Sequence, residues 1–228
     1  MYKYLLWDID GTVIDFLASE RVAIKKLFIK FGFGECSDEK LADYSQINKG
    51  YWERLERGEM KKDEILVARF KEFFKKYHLP VEMAEQFNYE YQFALGETHE
   101  FYDDAYNILK ELKGKYVLAA VTNGTKYAQS KKLKESGLDQ IFDYVFISED
   151  IGADKPAKEY FDWVIDSMNI SDLGEALVIG DSLTSDILGG NNAGIDTCWY
   201  NANGLDNNRG IVPKYEISDL HQVMELIL

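Results

Sequence analysis

The sequence predicts an α/β protein: a doubly wound parallel sheet into which a second, helical domain is inserted. Three observations carry this expectation. Short apolar runs recur along the chain, each closed by a small polar turn and followed by residues at helical spacing. The runs are continuously apolar, which is the pattern of central strands covered on both faces. Between residues 15 and 97 the alternation lapses, and that interval holds helical spacing with no convincing strand, too long for a crossover connection.

In chain order, KYLLW (residues 3–7) is the first strand and runs straight into Asp8-Ile9-Asp10-Gly11-Thr12. The first helix of the insert covers FLASERVAIKKLFIKFG (16–32) and closes near Gly32 or Gly34. In MKKDEILVARFKEFFKKYHL (60–79), Leu66, Phe70, Phe73 and Tyr77 fall on one helical face. The sheet resumes with YVLAAV (116–121) before Thr122, and TKYAQSKKLKESG (125–137) follows as a helix with Gly137 as its stop. YVFIS (144–148), the helix AKEYFDWVIDSMN (157–169), EALVIG (175–180) before Asp181, and DTCWY (196–200) before Asn201 complete the alternation. The expected division is a sheet domain of residues 1–14 and 98–228 and a helical domain of residues 15–97. Three prolines, Pro80, Pro156 and Pro213, form no Pro-rich linker, and no internal repeat is visible.

With 228 residues and 46% hydrophobic content the chain can fill a sizeable core. Its formal net charge is -14, from 40 Asp and Glu against 26 Lys and Arg. Such a surface repels a nucleic-acid polymer or an anionic membrane on average, while a small anion can still meet a local cation in a cleft. No apolar run approaches membrane-spanning length and no signal-type N-terminus is present, so the expected setting is soluble and cytoplasmic, as a monomer or weak homo-oligomer. Cys36 and Cys198 lie far apart without companions at metal-ligand spacing and read as inert thiols.

In an open parallel sheet, ligands bind beyond the carboxyl ends of the strands. The residues collected there are Asp8 and Asp10, then Thr122, Asn123 and Gly124, then Lys155 and Pro156, then Asp181, Ser182 and Asp186. On an extended backbone Asp8 and Asp10 would point the same way while Ile9 faces the other side. Two carboxylates that close repel, and one stays protonated unless a cation lies between them. Asp181 and Asp186 could complete an oxygen-rich pocket of the kind that holds Mg2+; alternatively, such aspartates cap turns and helices. Thr122, Asn123 and Gly124 could form an anion cradle at a helix N-terminus, or be an ordinary cap with an Asn-Gly turn. A metal, an anion cradle and a free carboxylate together specify phosphoryl chemistry, with Asp8 as nucleophile, Asp10 as acid and base, and Lys155 as a phosphate partner. The three histidines, His78, His99 and His221, occur without a serine-elbow or zinc-binding context, and no Gly-rich loop with a following Lys-Ser/Thr is present.

The ordered set DIDGT (8–12), VTNG (121–124), DKP (154–156) and GDSLTSD (180–186) resembles the haloacid dehalogenase superfamily of phosphatases. That resemblance implies a Rossmann-like core with an α-helical cap and a Mg2+-dependent phosphomonoesterase with an aspartyl-phosphate intermediate. It implies a metal held by the Asp8 carboxylate, the Asp10 main-chain carbonyl and the Asp181 carboxylate, with Asp186 orienting the metal's waters or Lys155. Within the superfamily, INKGYWERLERGEM (47–60), RFKEFF (69–74) and GGNNAGIDTCWYN (189–201) look like the pyrimidine-type 5′-nucleotidases. The implied substrate is a nucleoside monophosphate, with Asn48, Trp52 and Arg69 as candidates to face it. The alternatives in view are a sugar-phosphate phosphatase or mutase with the same machinery, a dehalogenase, and a phospho-acceptor signalling domain.

Overall fold

The apolar runs become strands β1 (Tyr4–Trp7), β2 (Val117–Thr122), β3 (Tyr144–Ile147), β4 (Ala176–Gly180), β5 (Asp196–Tyr200) and β6 (Tyr215–Ile217) in a computed structural model that describes residues 1–227. The strands lie in the order β3-β2-β1-β4-β5-β6, and every neighbouring pair is parallel. Five of them are the apolar runs of the sequence. The sixth, Tyr-Glu-Ile at 215–217, is three residues long with a glutamate in its middle, too short to show a periodicity. β1 is central, with Leu6 in register with Ala119 of β2 and Val178 of β4. Strand order reverses about β1, so the loops after β1 and β4 diverge and open a crevice at their carboxyl ends.

The described residues fall into two compact units, Met1–Asp15 with the chain from His99 onward, and Phe16–Thr98. The second unit is made of helices α1 (Phe16–Lys30), α2 (Asp38–Glu56), α3 (Lys62–Lys76) and α4 (Ala84–Leu95). Its interior is aromatic: Phe28, Tyr44, Phe70, Phe73, Phe74, Phe87 and Tyr91 are all fully buried. α3 buries Ile65, Arg69, Phe70, Phe73 and Phe74, so Phe70 and Phe73 of the Leu66-Phe70-Phe73-Tyr77 line are interior as the sequence suggests, while Ile65 and Arg69 take the place of Leu66 at its start. Tyr77 ends the helix with its hydroxyl on Asp43.

In the sheet unit, α5 (Ala105–Leu112), α6 (Lys126–Ser136), α7 (Ser148–Ile151), α8 (Lys158–Met168), α9 (Leu188–Ala193) and α10 (Gln222–Ile227) complete the fold. Alternation along each strand divides the core into two layers. Leu5 and Trp7 join Leu118, Ala120, Leu177 and Ile179 under α5 and α10, whereas Leu6 joins Ala119, Val121 and Val178 under α8. α6 ends at Gly137 in the left-handed conformation, φ 77°. Cys36 and Cys198 are free thiols, and burial pushes them up to about 11 and about 12 respectively. Among the described residues no helix is long and apolar enough to cross a membrane.

Candidate active site

β1 stops at Trp7, and the chain then curls tightly. The amides of Val13 and Ile14 both donate to the Ile9 carbonyl, at 3.0 and 2.8 Å, and the Gly11 amide donates to the Ile14 carbonyl at 2.9 Å. Gly11 has φ 103°, and a β-carbon there would lie 2.7 Å from an Asp181 carboxylate oxygen, so the turn needs glycine for conformation and for space. Ile9 goes into the core. Each of the two aspartates meets a lysine: Asp8 pairs with Lys155, which it shares with Asp186, and Asp10 pairs with Lys132.

Asp8 is 6% exposed. Its Oδ1 accepts from Lys155 Nζ at 2.7 Å and its Oδ2 from the Thr12 hydroxyl at 3.1 Å. The same ammonium donates to Asp186 Oδ1 at 2.6 Å and to the Val121 carbonyl at 2.8 Å, which accounts for all three of its hydrogens. Asp186 also takes the Ser182 amide on Oδ2 at 3.1 Å. Thr12 Oγ1 accepts from the Asp181 amide at 3.0 Å and lies 3.3 Å from Asp181 Oδ1, tying the ends of β1 and β4 together. The Trp199 indole donates to the Asp181 carbonyl at 2.8 Å.

Asp10 faces α6. Gln129 Nε2 donates to Asp10 Oδ2 at 2.5 Å, and Lys132 Nζ is paired with Asp10 Oδ1. The TNG segment is arranged differently from an open anion cradle. The Asn123 carboxamide exchanges two 2.8 Å hydrogen bonds with the Lys155 peptide, and the Gly124 amide donates to Thr122 Oγ1 at 3.1 Å. The Lys126 amide at the start of α6 is taken by Glu149 at 2.6 Å. The helix end is thus already supplied with a carboxylate. The Thr122 oxygen is the acceptor for Gly124, which leaves its hydroxyl hydrogen to donate, while the buried Lys155 spends its hydrogens on Asp8, Asp186 and Val121.

The electrostatics are those of crowded anions. Desolvation raises the Asp8 carboxyl; Lys155 opposes this, Asp186 and Asp10 add to it, and the value stands at about 7. Asp181 is pushed well above the usual carboxylate range by desolvation and by Asp8 and Asp186. Because Asp181 keeps solvent exposure, the neighbouring like charges are the firmer part of that cause. Burial works against the Lys155 charge, but Asp186 and Asp8 outweigh it and its pKa rises.

One carboxylate oxygen from each of Asp8, Asp181 and Asp186 lies within 4.8 Å of the others. Three carboxylates answered by one buried lysine leave negative charge uncompensated. A small all-oxygen set with one member open to water fits a hard divalent cation that binds few carboxylates and keeps several waters.

Asn48, Trp52 and Arg69 lie in the helical unit. Arg69 Nη1 donates to Asn48 Oδ1 at 2.6 Å, Asn48 Nδ2 donates to Glu20 at 2.8 Å, and Glu20 also receives Ser45 and Tyr91. Arg69 reaches Asn88 at 3.2 Å as well. Asn48 and Arg69 are buried in this network, and Trp52 packs beside Tyr51, Leu55 and Ile65.

Thr12, Gln129 and Lys132 are the site residues that reading the sequence did not single out. The signal for the last two was present: with Ala128 and Leu133 they form the buried stripe of α6, and polar groups in such a stripe need a partner inside.

A crevice at the strand ends, two aspartates on the first turn, a lysine between carboxylates and a threonine at the end of β2 define a hydrolase class. The chain belongs to the haloacid dehalogenase-like hydrolases, whose family pattern it matches over residues 5–200. It is 39% identical to the HAD-hydrolase YfnB of Bacillus subtilis, covering 99% of this chain and 95% of that protein. It is 36% identical to the pyrimidine 5′-nucleotidase PynA of Streptococcus pneumoniae, with 99% and 95% covered, and 29% identical to the pyrimidine 5′-nucleotidase YjjG of Escherichia coli, with 99% and 98% covered. A crystal structure of YfnB bound to magnesium superposes with a TM-score of 0.92 at 37% identity, covering 99% of this chain and 98% of that one.

Proposed function

We propose that the chain is a Mg2+-dependent phosphatase that passes the phosphoryl group of a nucleoside monophosphate, of the pyrimidine type, to Asp8 and then to water. The observation that carries this reading is Asp8 itself, a carboxylate at the end of the central strand held by Lys155 and Thr12 beside two further carboxylates. The substrate class is supported by two full-length relatives that are pyrimidine 5′-nucleotidases, and the metal by the magnesium-bound structure of YfnB.

Asp8, Asp181 and the Asp10 main-chain carbonyl would hold the ion, with Asp186 beside them; when bound, it draws charge from the phosphate and offsets the repulsion between phosphate and carboxylates. Lys155 and the Thr122 hydroxyl take phosphoryl oxygens. An Asp8 oxygen attacks phosphorus in line. The bond to the leaving oxygen breaks with its electron pair staying on that oxygen, which takes a proton from Asp10. Asp10 then removes a proton from water, whose oxygen bonds to phosphorus as the Asp8–phosphorus link breaks and the carboxylate is restored. The helical unit is read as the part of the chain that selects the leaving group.

Phosphate release is measured across a panel of nucleoside monophosphates and sugar phosphates, with Mg2+ and with a chelator. Pyrimidine nucleotides are expected to lead the panel, and chelation to stop turnover. No hydrolysis of any nucleotide would sink the substrate assignment, and sugar phosphates outrunning nucleotides would replace it. Halide release that survives chelation would point to a dehalogenase instead.

A further inference from the structure

We infer that Gln129 and Lys132 of α6 are positioning residues for proton transfer: together they hold the Asp10 carboxylate in the orientation from which it protonates the leaving oxygen. The inference rests on the reading of Asp10 as the acid.

Asp10 sits on a turn next to Gly11 with 21% of its side-chain surface exposed, and the groups that hold its carboxylate come from α6. Lys132 holds one oxygen and Gln129 the other, three residues apart on one helical face. Their burial makes the arrangement specific. Lys132 is 0% exposed and Gln129 1%, and a lysine ammonium withdrawn from water to that degree requires a carboxylate facing it. Gln129 Oε1 is buried without a hydrogen-bond partner among the described residues, so the amide is oriented by its donation to Asp10 and by no second bond.

Space is provided for it too. A β-carbon on Gly124 would collide with the Gln129 carboxamide, so the glycine after Thr122-Asn123 is what lets this side chain pass from α6 to Asp10. A carboxyl group has about four lone-pair sites, and two donors leave room for the proton it carries and delivers. In that delivery the leaving oxygen keeps the electron pair of its broken bond to phosphorus and bonds to the proton from Asp10, while phosphorus is bonded to Asp8.

A positioned acid matters only where the leaving group needs a proton. An alkoxide leaves poorly without one, whereas p-nitrophenolate leaves unaided. kcat/KM reports steps only as far as departure of the leaving group, so it excludes the later attack of water. The test compares kcat/KM for an alkyl phosphomonoester and for p-nitrophenyl phosphate in Lys132→Met, Lys132→Arg, Gln129→Met and Gly124→Ala, with Asp10→Asn as reference and thermal melting as the check on folding.

Asp10→Asn is expected to lose on the order of 10²–10⁴-fold on the alkyl ester and far less on the aryl ester. Lys132→Met and Gln129→Met should lose roughly 10- to 100-fold on the alkyl ester, as misplaced catalytic groups do, with under about threefold on the aryl ester. Lys132→Arg should recover part of the loss. Gly124→Ala should copy Gln129→Met and add little to it. Equal losses on both esters, or no loss on either while Asp10→Asn discriminates, overturns the positioning role and leaves the acid assignment standing. If Asp10→Asn itself fails to discriminate, both fall. Should Lys132→Met not fold, Gln129→Met decides alone.

Discussion

Lys155 is the residue on which the site balances. Its three hydrogens meet Asp8, Asp186 and the Val121 carbonyl, all within 2.8 Å. Lys155→Met should therefore both abolish phosphate release and destabilise the sheet unit by about 3–5 kcal/mol, the usual cost of leaving one side of a buried pair uncompensated; denaturant titration reads the second effect. Asp8→Asn relieves charge instead. It should bring phosphate release down to the blank while the melting temperature holds or rises, and near-wild-type turnover would exclude the covalent route. Asp8 and Asp181 were legible because they directly follow apolar runs that have to be strands, whereas Lys155, in a loop, and Asp186, five residues past Asp181, were legible only through the company of the other motif residues. Lys132 was not, since in a helix as polar as KYAQSKKLKES a lysine reads as a solvated charge until its face is known. Asn123 and Gly124 were legible as a turn, but the bonds that turn the Asn123 side chain inward depend on Lys155, more than thirty residues away.

The elements differ in how much of them the sequence exposes. β1, β2 and β4 are continuous apolar runs and could be read directly; β6 is formed by pairing with β5 and has little pattern of its own. In the helical unit Phe70 and Phe73 of the α3 stripe were legible, but Arg69 beside them was not, because a buried arginine does not look like core. That arginine belongs to the Glu20–Asn48–Arg69 network, and two predictions follow from it. Arg69→Met should cost about 1–3 kcal/mol, since the Asn48 and Asn88 oxygens lose their donor inside the fold; urea unfolding measures it. Burial, only partly offset by Ser45, Arg69 and Asn48, raises the Glu20 pKa above 4.5. The folded chain then holds this proton more tightly than the unfolded one, so the associated stability is full below pH 4.5 and is lost as pH rises through the folded value. Melting of wild type and Glu20→Gln across that range should show the difference between them moving in favour of glutamine as pH increases. A difference that stays constant with pH would contradict this.

For the molecule as a whole, a net charge of -14 and a cluster of three carboxylates make the folded state responsive to cations. Mg2+ that binds only the native state should raise the melting temperature progressively, by the equivalent of about 2.7 kcal/mol at a hundred times its dissociation constant. Asp181→Asn should remove most of that response, and an equal response in the variant would place the ion elsewhere. The sheet order has a further consequence, for synthesis. Of the six described strands β1 comes before the rest in chain order and is central, and its partners β2 and β4 begin only at Val117 and Ala176. At about 5–20 residues per second, β1 leaves the ribosome on the order of ten seconds before either neighbour exists. The helices of Phe16–Thr98, which form a compact unit, emerge complete in that interval. The nascent chain therefore carries a formed helical body and a bare apolar strand at once, and the wait for β2 is when a chaperone that shields extended apolar segments has the most to do.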